Sequence, residues 1–139
     1  MLIVCPHCLK TNRVPEERAT EDPTCGHCHL ELLAGQPIVL DDARFDKIIA
    51  GTELPIVVDF WASWCGPCRT MAPQFEQAAA TLKGHALFAK VDSDASPRTS
   101  ARFAIRSIPT LLLLRGGREI RRRPGVTQAT QIVDWVSRG

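Results

Sequence analysis

Two cysteines separated by two residues, Cys65 and Cys68, stand where an apolar run gives way to a helix-favouring segment. The apolar run, Pro55–Ala62, is interrupted by one acid, Asp59, and is typical of a buried strand. The start of a helix carries unpaired backbone N–H groups and partial positive charge, and both stabilise a thiolate. A thiolate is the reactive form of cysteine, and a second thiol three positions later can resolve the mixed disulfide that it forms. The motif therefore predicts a site of dithiol–disulfide exchange.

Four further cysteines form two Cys-x-x-Cys pairs near the N-terminus, Cys5/Cys8 and Cys25/Cys28, with sixteen residues between the pairs. This spacing falls within the pattern of structural zinc sites, in which four thiolates complete a tetrahedral shell. A segment of 34 residues is too short to build a sufficient core, whereas a structural zinc ion supplies folding energy. We therefore predict a zinc-binding module at residues 1–34, with one structural Zn²⁺ per chain and no bound organic cofactor.

Two alternatives apply to this N-terminal segment. Three histidines in or beside the cysteine pairs are alternative ligands, although exposed turn positions are expected for them because four cysteines suffice: His7, His27 and His29. The other alternative is redox activity, because the tetrapeptides Cys5-Pro-His-Cys8 and Cys25-Gly-His-Cys28 resemble the active-site motifs of disulfide oxidants and disulfide isomerases. Neither pair follows a buried strand or opens a long helix, so the sequence context favours metal binding.

Length and composition limit the class of protein. The 139 residues allow one domain of ordinary size and a small appendage, and 45% hydrophobic with 23% charged residues is typical of a globular protein. No apolar run is long enough to span a bilayer, and the first residues lack the features of a signal peptide. The sequence therefore predicts a cytoplasmic protein without a membrane partner.

Charge is distributed unevenly along the chain. The formal net charge of +2 is too small to argue for a nucleic-acid partner. Residues 1–34 carry −2, whereas residues 95–139 contain nine arginines against two acids and carry +7. Solvated surface is the usual role of such a basic segment, and steering of acidic partners is the alternative.

After a connector at Leu33–Pro37, predicted strands and helices alternate through residues 35–139, which indicates an α/β domain around a central sheet. The predicted strands cover residues 38–40, 56–60, 86–91, 110–114 and 119–123. The predicted helices cover residues 42–50, 65–82, 97–103 and 127–137. Asp41 or Asp42 is expected to cap the first helix, and Arg121–Arg123 is expected on an edge strand protected by charge.

Several motifs in a fixed order identify a family. They are Val58–Ala62, Trp64–Cys68, Lys90–Asp92, Arg106–Thr110, Gly117 and Gly125. On these motifs residues 37–139 resemble thioredoxins, and the added N-terminal cysteine pairs resemble the bacterial thioredoxins that carry a zinc-binding module. The resemblance implies the thioredoxin fold, a central mixed sheet of about five strands flanked by about four helices, preceded here by a small zinc-ribbon-like module.

The resemblance also implies roles for individual residues. Cys65 would be the attacking thiol and Cys68 the resolving thiol, Asp59 a buried carboxylate that relays the proton of Cys68, and Lys90 a neighbour that modulates Asp59. A solvent-facing acid and an ordinary exposed lysine are the alternatives for the last two. Pro109 would be the family's cis-proline opposite the cysteines, with a trans proline as the alternative. The implied substrate-binding residues are Trp64, Gly66, Pro67, Ile108, Pro109, Gly125 and Val126.

The implied activity is that of a monomeric protein-disulfide reductase that acts on disulfide-containing proteins and is recycled by an NADPH-dependent thioredoxin reductase. The dipeptide Gly66-Pro67 resembles reducing rather than oxidising members of the fold. The alternative function is a redox-sensing zinc chaperone in which oxidation releases zinc. A protein-interaction module with silent thiols is disfavoured by the intact active-site motif.

Overall fold

Strands and helices alternate along residues 1–138, which are described by a computed structural model. The N-terminal elements are β1 (Leu2–Val4), β2 (Thr11–Arg13) and a 3₁₀ helix (Glu16–Arg18). The elements of the larger part are β3 (Ile38–Leu40), α1 (Asp42–Gly51), β4 (Ile56–Trp61), α2 (Gly66–Thr81), β5 (Leu87–Asp92), α3 (Pro97–Arg102), β6 (Thr110–Arg115), β7 (Arg118–Pro124) and α4 (Ala129–Ser137).

The five strands β3 to β7 form one mixed sheet in the order β3-β5-β4-β6-β7. The strands β3, β5 and β4 are parallel, whereas β6 pairs antiparallel with both β4 and β7. The central strand β4 is buried along nearly its whole length, as expected of its β-branched run Ile56-Val-Val58. The predicted α/β class and the sheet with its four helices are confirmed.

Helices cover both faces of the sheet. Val57, Phe88 and Leu111 lie on one face in a cluster with buried residues of α2 and α4. Val58 and Leu112 lie on the opposite face, in a cluster with residues of α1 and of the N-terminal module. The sheet thus separates two cores, and the N-terminal module contributes to one of them.

The N-terminal module docks at the end of the sheet where β4 begins. Ile3 and Val4 are buried, and the Val4 N–H donates to the Thr52 hydroxyl at 3.2 Å. The Glu53 N–H donates to the Leu2 carbonyl at 2.9 Å, and the Leu2 N–H donates to the Glu53 carboxylate. Because β4 runs from this end towards Trp61, the module lies at the opposite end of the sheet from the Cys65 loop. The boundary at residues 34 and 35 remains a prediction.

Several element bounds differ from the predicted ones by one or two residues. Helix α4 begins at Ala129 instead of residue 127 because Gln128 is its N-cap, with the Gln128 N–H donating to the Gln131 side chain at 3.2 Å. The β1–β2 hairpin has three-residue strands and a polar second strand, so it gave no recognisable pattern. Leu33, placed in the connector, is buried. Among the described residues, no helix is long and apolar enough to cross a membrane.

Candidate functional site

Cys65 and Cys68 lie at the start of α2, as predicted. Cys65 is the N-cap residue of the helix, and its sulfur accepts a hydrogen bond from the Cys68 N–H at 3.2 Å. A disulfide joins the two residues, whose Cα atoms are 5.3 Å apart. The Cys65 sulfur therefore lies where a helix N-terminus stabilises negative charge once the disulfide is reduced.

The two cysteines are buried, whereas residues next to them in the chain are exposed to solvent. Cys65 is 4% exposed and Cys68 is 2% exposed, so exposure alone does not separate their roles. Trp64, the residue before the pair, is 67% exposed, and Pro67 between the cysteines is also exposed. The disulfide is therefore bordered by exposed apolar side-chain area.

One loop from the second half of the chain contacts the disulfide, and a second loop is hydrogen-bonded to the first. The peptide bond between Ile108 and Pro109 is cis, as expected, and the Ile108 carbonyl oxygen lies 3.8 Å from the Cys65 sulfur. The Gly125 N–H donates to the Pro109 carbonyl at 2.9 Å, in a backbone conformation with φ of +89° that favours glycine. Pro109 itself is buried, so Ile108 is the residue of this loop that packs against the cysteines. The neighbouring Val126 is 48% exposed.

Asp94 supports this surface and was missed from the sequence. The Trp64 indole N–H donates to the Asp94 carboxylate at 2.7 Å. Asp94 lies in the turn after β5, where its own N–H donates to the Asp92 side chain at 2.9 Å. Because β4 and β5 are parallel neighbours, the residues that follow them meet at one edge of the sheet. That register is the signal that could have paired Asp94 with Trp64.

Asp59 is a buried carboxylate, as the resemblance implied. It is 1% exposed, and neither oxygen has a hydrogen-bond partner among the described residues. It shares a face of β4 with Val57, which packs in the cluster that includes α2. Lys90 is its register partner on β5, and the Lys90 Nζ lies 4.5 Å from the centre of the Trp61 ring. Burial raises the pKa of Asp59 to about 7, and the charge of Lys90 opposes that rise.

The raised pKa of Asp59 predicts that stability depends on pH. The unfolded chain releases this proton near pH 4, whereas the folded chain keeps it up to about pH 7. The free energy of unfolding should therefore fall as pH rises from 4 to 7. In the variant Asp59→Asn this slope should disappear, and at pH 8 the oxidised variant should be more stable than the wild type by about 4 kcal/mol. Urea unfolding at pH 4.5 and pH 8 measures both quantities, and an unchanged pH slope in the variant would contradict the assignment.

The four N-terminal cysteines converge on one point. Their sulfur atoms all lie within 4.8 Å of one another, and the Cys5–Cys28 and Cys8–Cys25 sulfur pairs are each 3.6 Å apart. A tetrahedron with metal–sulfur bonds of about 2.3 Å has edges of about 3.8 Å, so the cluster has the size of a tetrahedral thiolate site. The residues present therefore fit a metal ion held by four thiolates.

Backbone and side-chain N–H groups surround these sulfurs. The His7 and Cys8 N–H groups point at the Cys5 sulfur, at 3.4 and 3.5 Å. The Cys28 N–H donates to Cys25 in the same way and lowers the pKa of that thiol. All three histidines of the segment are exposed, as expected of turn residues.

Asn12, on β2, holds the second cysteine pair and was missed from the sequence. Its side-chain N–H donates to the Cys25 sulfur at 3.4 Å, and its side-chain oxygen accepts the Gly26 N–H at 2.9 Å. Such partners orient metal ligands and tune their charge. No local pattern could have found it, because the contact depends on the fold of the hairpin.

Comparison with known proteins gives a family match for the α/β domain and another for the N-terminal four-cysteine module. Residues 36–138 match the Thioredoxin family, and residues 4–30 match the family described as Thioredoxin 2, N-terminal. The chain is 44% identical to Thioredoxin C-3 of Corynebacterium nephridii, across 98% of this chain and 93% of that protein. It is 43% identical to the thioredoxin of Alicyclobacillus acidocaldarius subsp. acidocaldarius, across 68% of this chain and 90% of that protein.

A solved structure of chloroplastic thioredoxin z is also similar, with a TM-score of 0.68 and 29% identity over 74% of this chain and 93% of that one. Thioredoxins are thiol–disulfide oxidoreductases, and the disulfide at the start of α2 is the group that such chemistry requires. The chain belongs to the thioredoxin family and carries the N-terminal zinc-ribbon module of the thioredoxin 2 type.

Proposed function

We propose that this chain reduces disulfides in other proteins through Cys65 and Cys68 and is recycled by an NADPH-dependent thioredoxin reductase. The single observation that carries the proposal is the Cys65–Cys68 disulfide at the N-cap of α2, 3.8 Å from the Ile108 carbonyl oxygen. This places the reactive sulfur beside an exposed apolar rim and next to backbone that an extended substrate can pair with. We further propose that the protein acts as a monomer in the cytoplasm.

The exchange begins with attack by the Cys65 thiolate on one sulfur of the substrate disulfide. The bond between the substrate sulfurs breaks, one substrate thiolate leaves, and Cys65 is held in a mixed disulfide. Cys68 then passes its proton to the Asp59 carboxylate and attacks the Cys65 sulfur. The second substrate thiolate leaves, and the Cys65–Cys68 disulfide forms. The substrate has gained two electrons, and the reductase returns two electrons from NADPH to the chain.

Asp59 and Lys90 support this sequence through their electrostatics. A carboxyl group with a pKa of about 7 is half ionised at neutral pH, so it can both accept and release a proton during one turnover. Lys90 favours the ionised form of Asp59 from the neighbouring strand. We assign Asp59 as the proton relay and Lys90 as the group that adjusts it.

The substrate surface that we propose contains Trp64, Gly66, Pro67, Ile108, Pro109, Gly125 and Val126. Trp64 and Val126 supply exposed apolar area, and the Gly125–Pro109 hydrogen bond holds the two loops together. Because Pro109 is buried, its contribution is to shape the loop that presents Ile108. Such a surface suits varied extended segments that carry disulfides.

We propose zinc as the metal of the N-terminal cluster, held by Cys5, Cys8, Cys25 and Cys28. Four thiolates in a tetrahedron are the characteristic ligand set of structural zinc, and they leave no position for a catalytic water. When bound, zinc would supply folding energy to the module. Retained zinc and full insulin reduction after mild peroxide treatment would count against the alternative of a redox-sensing chaperone.

The recycling step is tested by insulin reduction with NADPH and a bacterial thioredoxin reductase. We expect NADPH consumption that requires the chain, the reductase and insulin together. Dithiothreitol-reduced chain in the same assay without reductase serves as the control for exchange itself. Exchange that proceeds with dithiothreitol but never with the reductase would show that another reductant serves this protein.

The proton relay predicts the behaviour of the variant Asp59→Asn in turnover. Without the carboxylate, resolution of the mixed disulfide at pH 7 should slow by about tenfold or more. The variant Asp134→Asn, which loses an exposed acid paired with Arg138, is the matched control and should turn over normally. Rates measured from pH 6 to 9 provide the test, and an Asp59→Asn profile equal to that of the wild type would exclude the relay.

A further inference from the structure

The edge strand β7 carries a run of arginines that the disulfide chemistry does not use. Arg118, Arg121, Arg122 and Arg123 all lie on this strand, which pairs only with β6 among the described strands. We call the three residues Arg118, Arg121 and Arg123 the arginine strip. Charged edge strands discourage unwanted strand pairing, which is the simplest reason for arginine here.

The charges of the strip are not balanced within the protein. Glu119 forms an ion pair with Arg122 at 2.7 Å, and Asp134 forms one with Arg138 at 2.8 Å. Those two acids are the only ones in residues 95–139. No described carboxylate forms an ion pair with a residue of the strip. Arg121 donates one hydrogen bond, to the Trp135 carbonyl, and this leaves its charge uncompensated.

The strip lies on the strand that ends beside the Ile108–Pro109 loop, and that loop contacts Cys65. Strand β7 continues into Gly125, whose N–H donates to the Pro109 carbonyl. With about 3.3 Å per residue, Arg123 and Arg121 lie about 7 and 13 Å from Gly125 along the strand. They share one face, because their register partners are Leu111 and Leu113 on β6. A substrate segment that extends from Cys65 past Gly125 along the edge of β7 would meet these two arginines.

We propose that the arginine strip binds acidic segments, rich in Asp and Glu, that flank the disulfide of protein substrates. This inference rests on the proposed disulfide-reductase function and names the class of substrate that it favours. Arginine pairs with carboxylates through two parallel hydrogen bonds, and unbalanced positive charge speeds the encounter with acidic partners. A nucleic acid is negatively charged like an acidic segment, but it contains no disulfide that Cys65 could reduce. The position of the strip relative to Cys65 therefore favours a protein substrate.

Two cyclic peptides test the proposal. Both contain the same disulfide ring, one with four Glu residues in its flanks and the other with four Gln residues at the same positions. Reduced full-length protein is mixed with each peptide in single-turnover experiments, at low salt and at 0.5 M NaCl. We expect the wild type to reduce the Glu peptide about tenfold faster at low salt, with an advantage that salt removes.

Two double variants locate the effect. The strip variant Arg121→Gln/Arg123→Gln should lose most of the preference for the Glu peptide and keep the wild-type rate with the Gln peptide. The control variant Arg13→Gln/Arg18→Gln removes the same charge from exposed positions of the N-terminal module, at the opposite end of the sheet. It should keep most of the preference, because its two arginines lie too far from Cys65 to pair directly with the Glu flanks and act only through a weaker long-range attraction.

The outcomes distinguish the role of the arginine strip from the disulfide-reductase function. Equal rates with both peptides, or an equal loss in both double variants, would overturn the docking role and leave the reductase function standing. Failure of the wild type to reduce either peptide would overturn both. If the strip variant aggregates but keeps its preference for the Glu peptide, the arginines serve only to prevent strand pairing between molecules at the β7 edge and do not bind substrates. A single-stranded oligonucleotide that binds the wild type but not the strip variant, without any peptide preference, would make the strip a nucleic-acid surface.

Discussion

The variant Cys65→Ser is expected to lose disulfide-reductase activity by at least about a thousandfold while keeping its fold, a change of about 4 kcal/mol in the activation barrier. A serine hydroxyl is not ionised near neutral pH, so the helix start would have no nucleophile to stabilise. The remaining thiol, Cys68, lies within the first turn of α2 and not at its N-cap, so it would have to attack the substrate from inside the helix. Insulin reduction and circular dichroism measure activity and fold in the same samples.

The variant Cys68→Ser is the matched control for this prediction. It keeps the attacking thiol but lacks the resolving one, so a mixed disulfide between Cys65 and the substrate should accumulate. Gel electrophoresis without reductant detects that adduct. Substantial turnover by Cys65→Ser, or an adduct that forms through Cys68 instead, would reverse the assigned roles.

Removal of the metal is expected to destabilise the whole chain and not only its N-terminal module. Ile3 and Val4 pack in the same core cluster as Phe45 and Ile48 of α1, so loss of the module exposes part of the core of the α/β domain. The packing is close, because a Cβ atom on Gly84 would lie 2.7 Å from the Ala19 carbonyl oxygen. A loss of about 4 kcal/mol would lower the Tm by about 12 °C in a protein of this size.

Calorimetry before and after treatment with a chelator tests this second prediction. The variant Cys5→Ser/Cys8→Ser should resemble the treated wild type and show no further change on chelation. The variant His7→Ala/His27→Ala is the matched control and should keep one metal ion per chain and the wild-type Tm, because both histidines are exposed. An unchanged Tm after metal removal would show that the N-terminal module and the α/β domain are energetically separate. Two melting transitions, of which the one at higher temperature is unaffected by the chelator, would show the same.

The sequence predicted the elements whose patterns are local. The β-branched run before Asp59, the Asp41 N-cap and the proline in the first turn of α2 each act within a few residues, and each was recognisable. The four-sulfur cluster joins distant residues, and it was predictable because two Cys-x-x-Cys pairs at this separation are a recurrent metal-ligand pattern. The order of motifs then carried the resemblance from which the sheet and the cis peptide bond at Pro109 followed.

The contacts that escaped prediction join residues far apart in the chain. Asp94 reaches Trp64 across thirty positions, and Thr52 meets Val4 across forty-eight. Asn12 acquires its role only because the hairpin places it beside Cys25. Their positions depend on strand register and docking, which no local pattern in a single sequence specifies.

The proposed exchange requires the reduced Cys65 sulfur to be an anion at the start of α2. Its most direct test is the pKa of that thiol in the reduced Cys68→Ser variant, obtained from the pH dependence of its alkylation rate. The hydrogen bond from the N–H of residue 68 and the helix N-terminus predict a midpoint clearly below the value of about 8.5 for a free cysteine. A midpoint at or above that value would show that the helix start does not stabilise the Cys65 thiolate and would rule out the proposed mechanism.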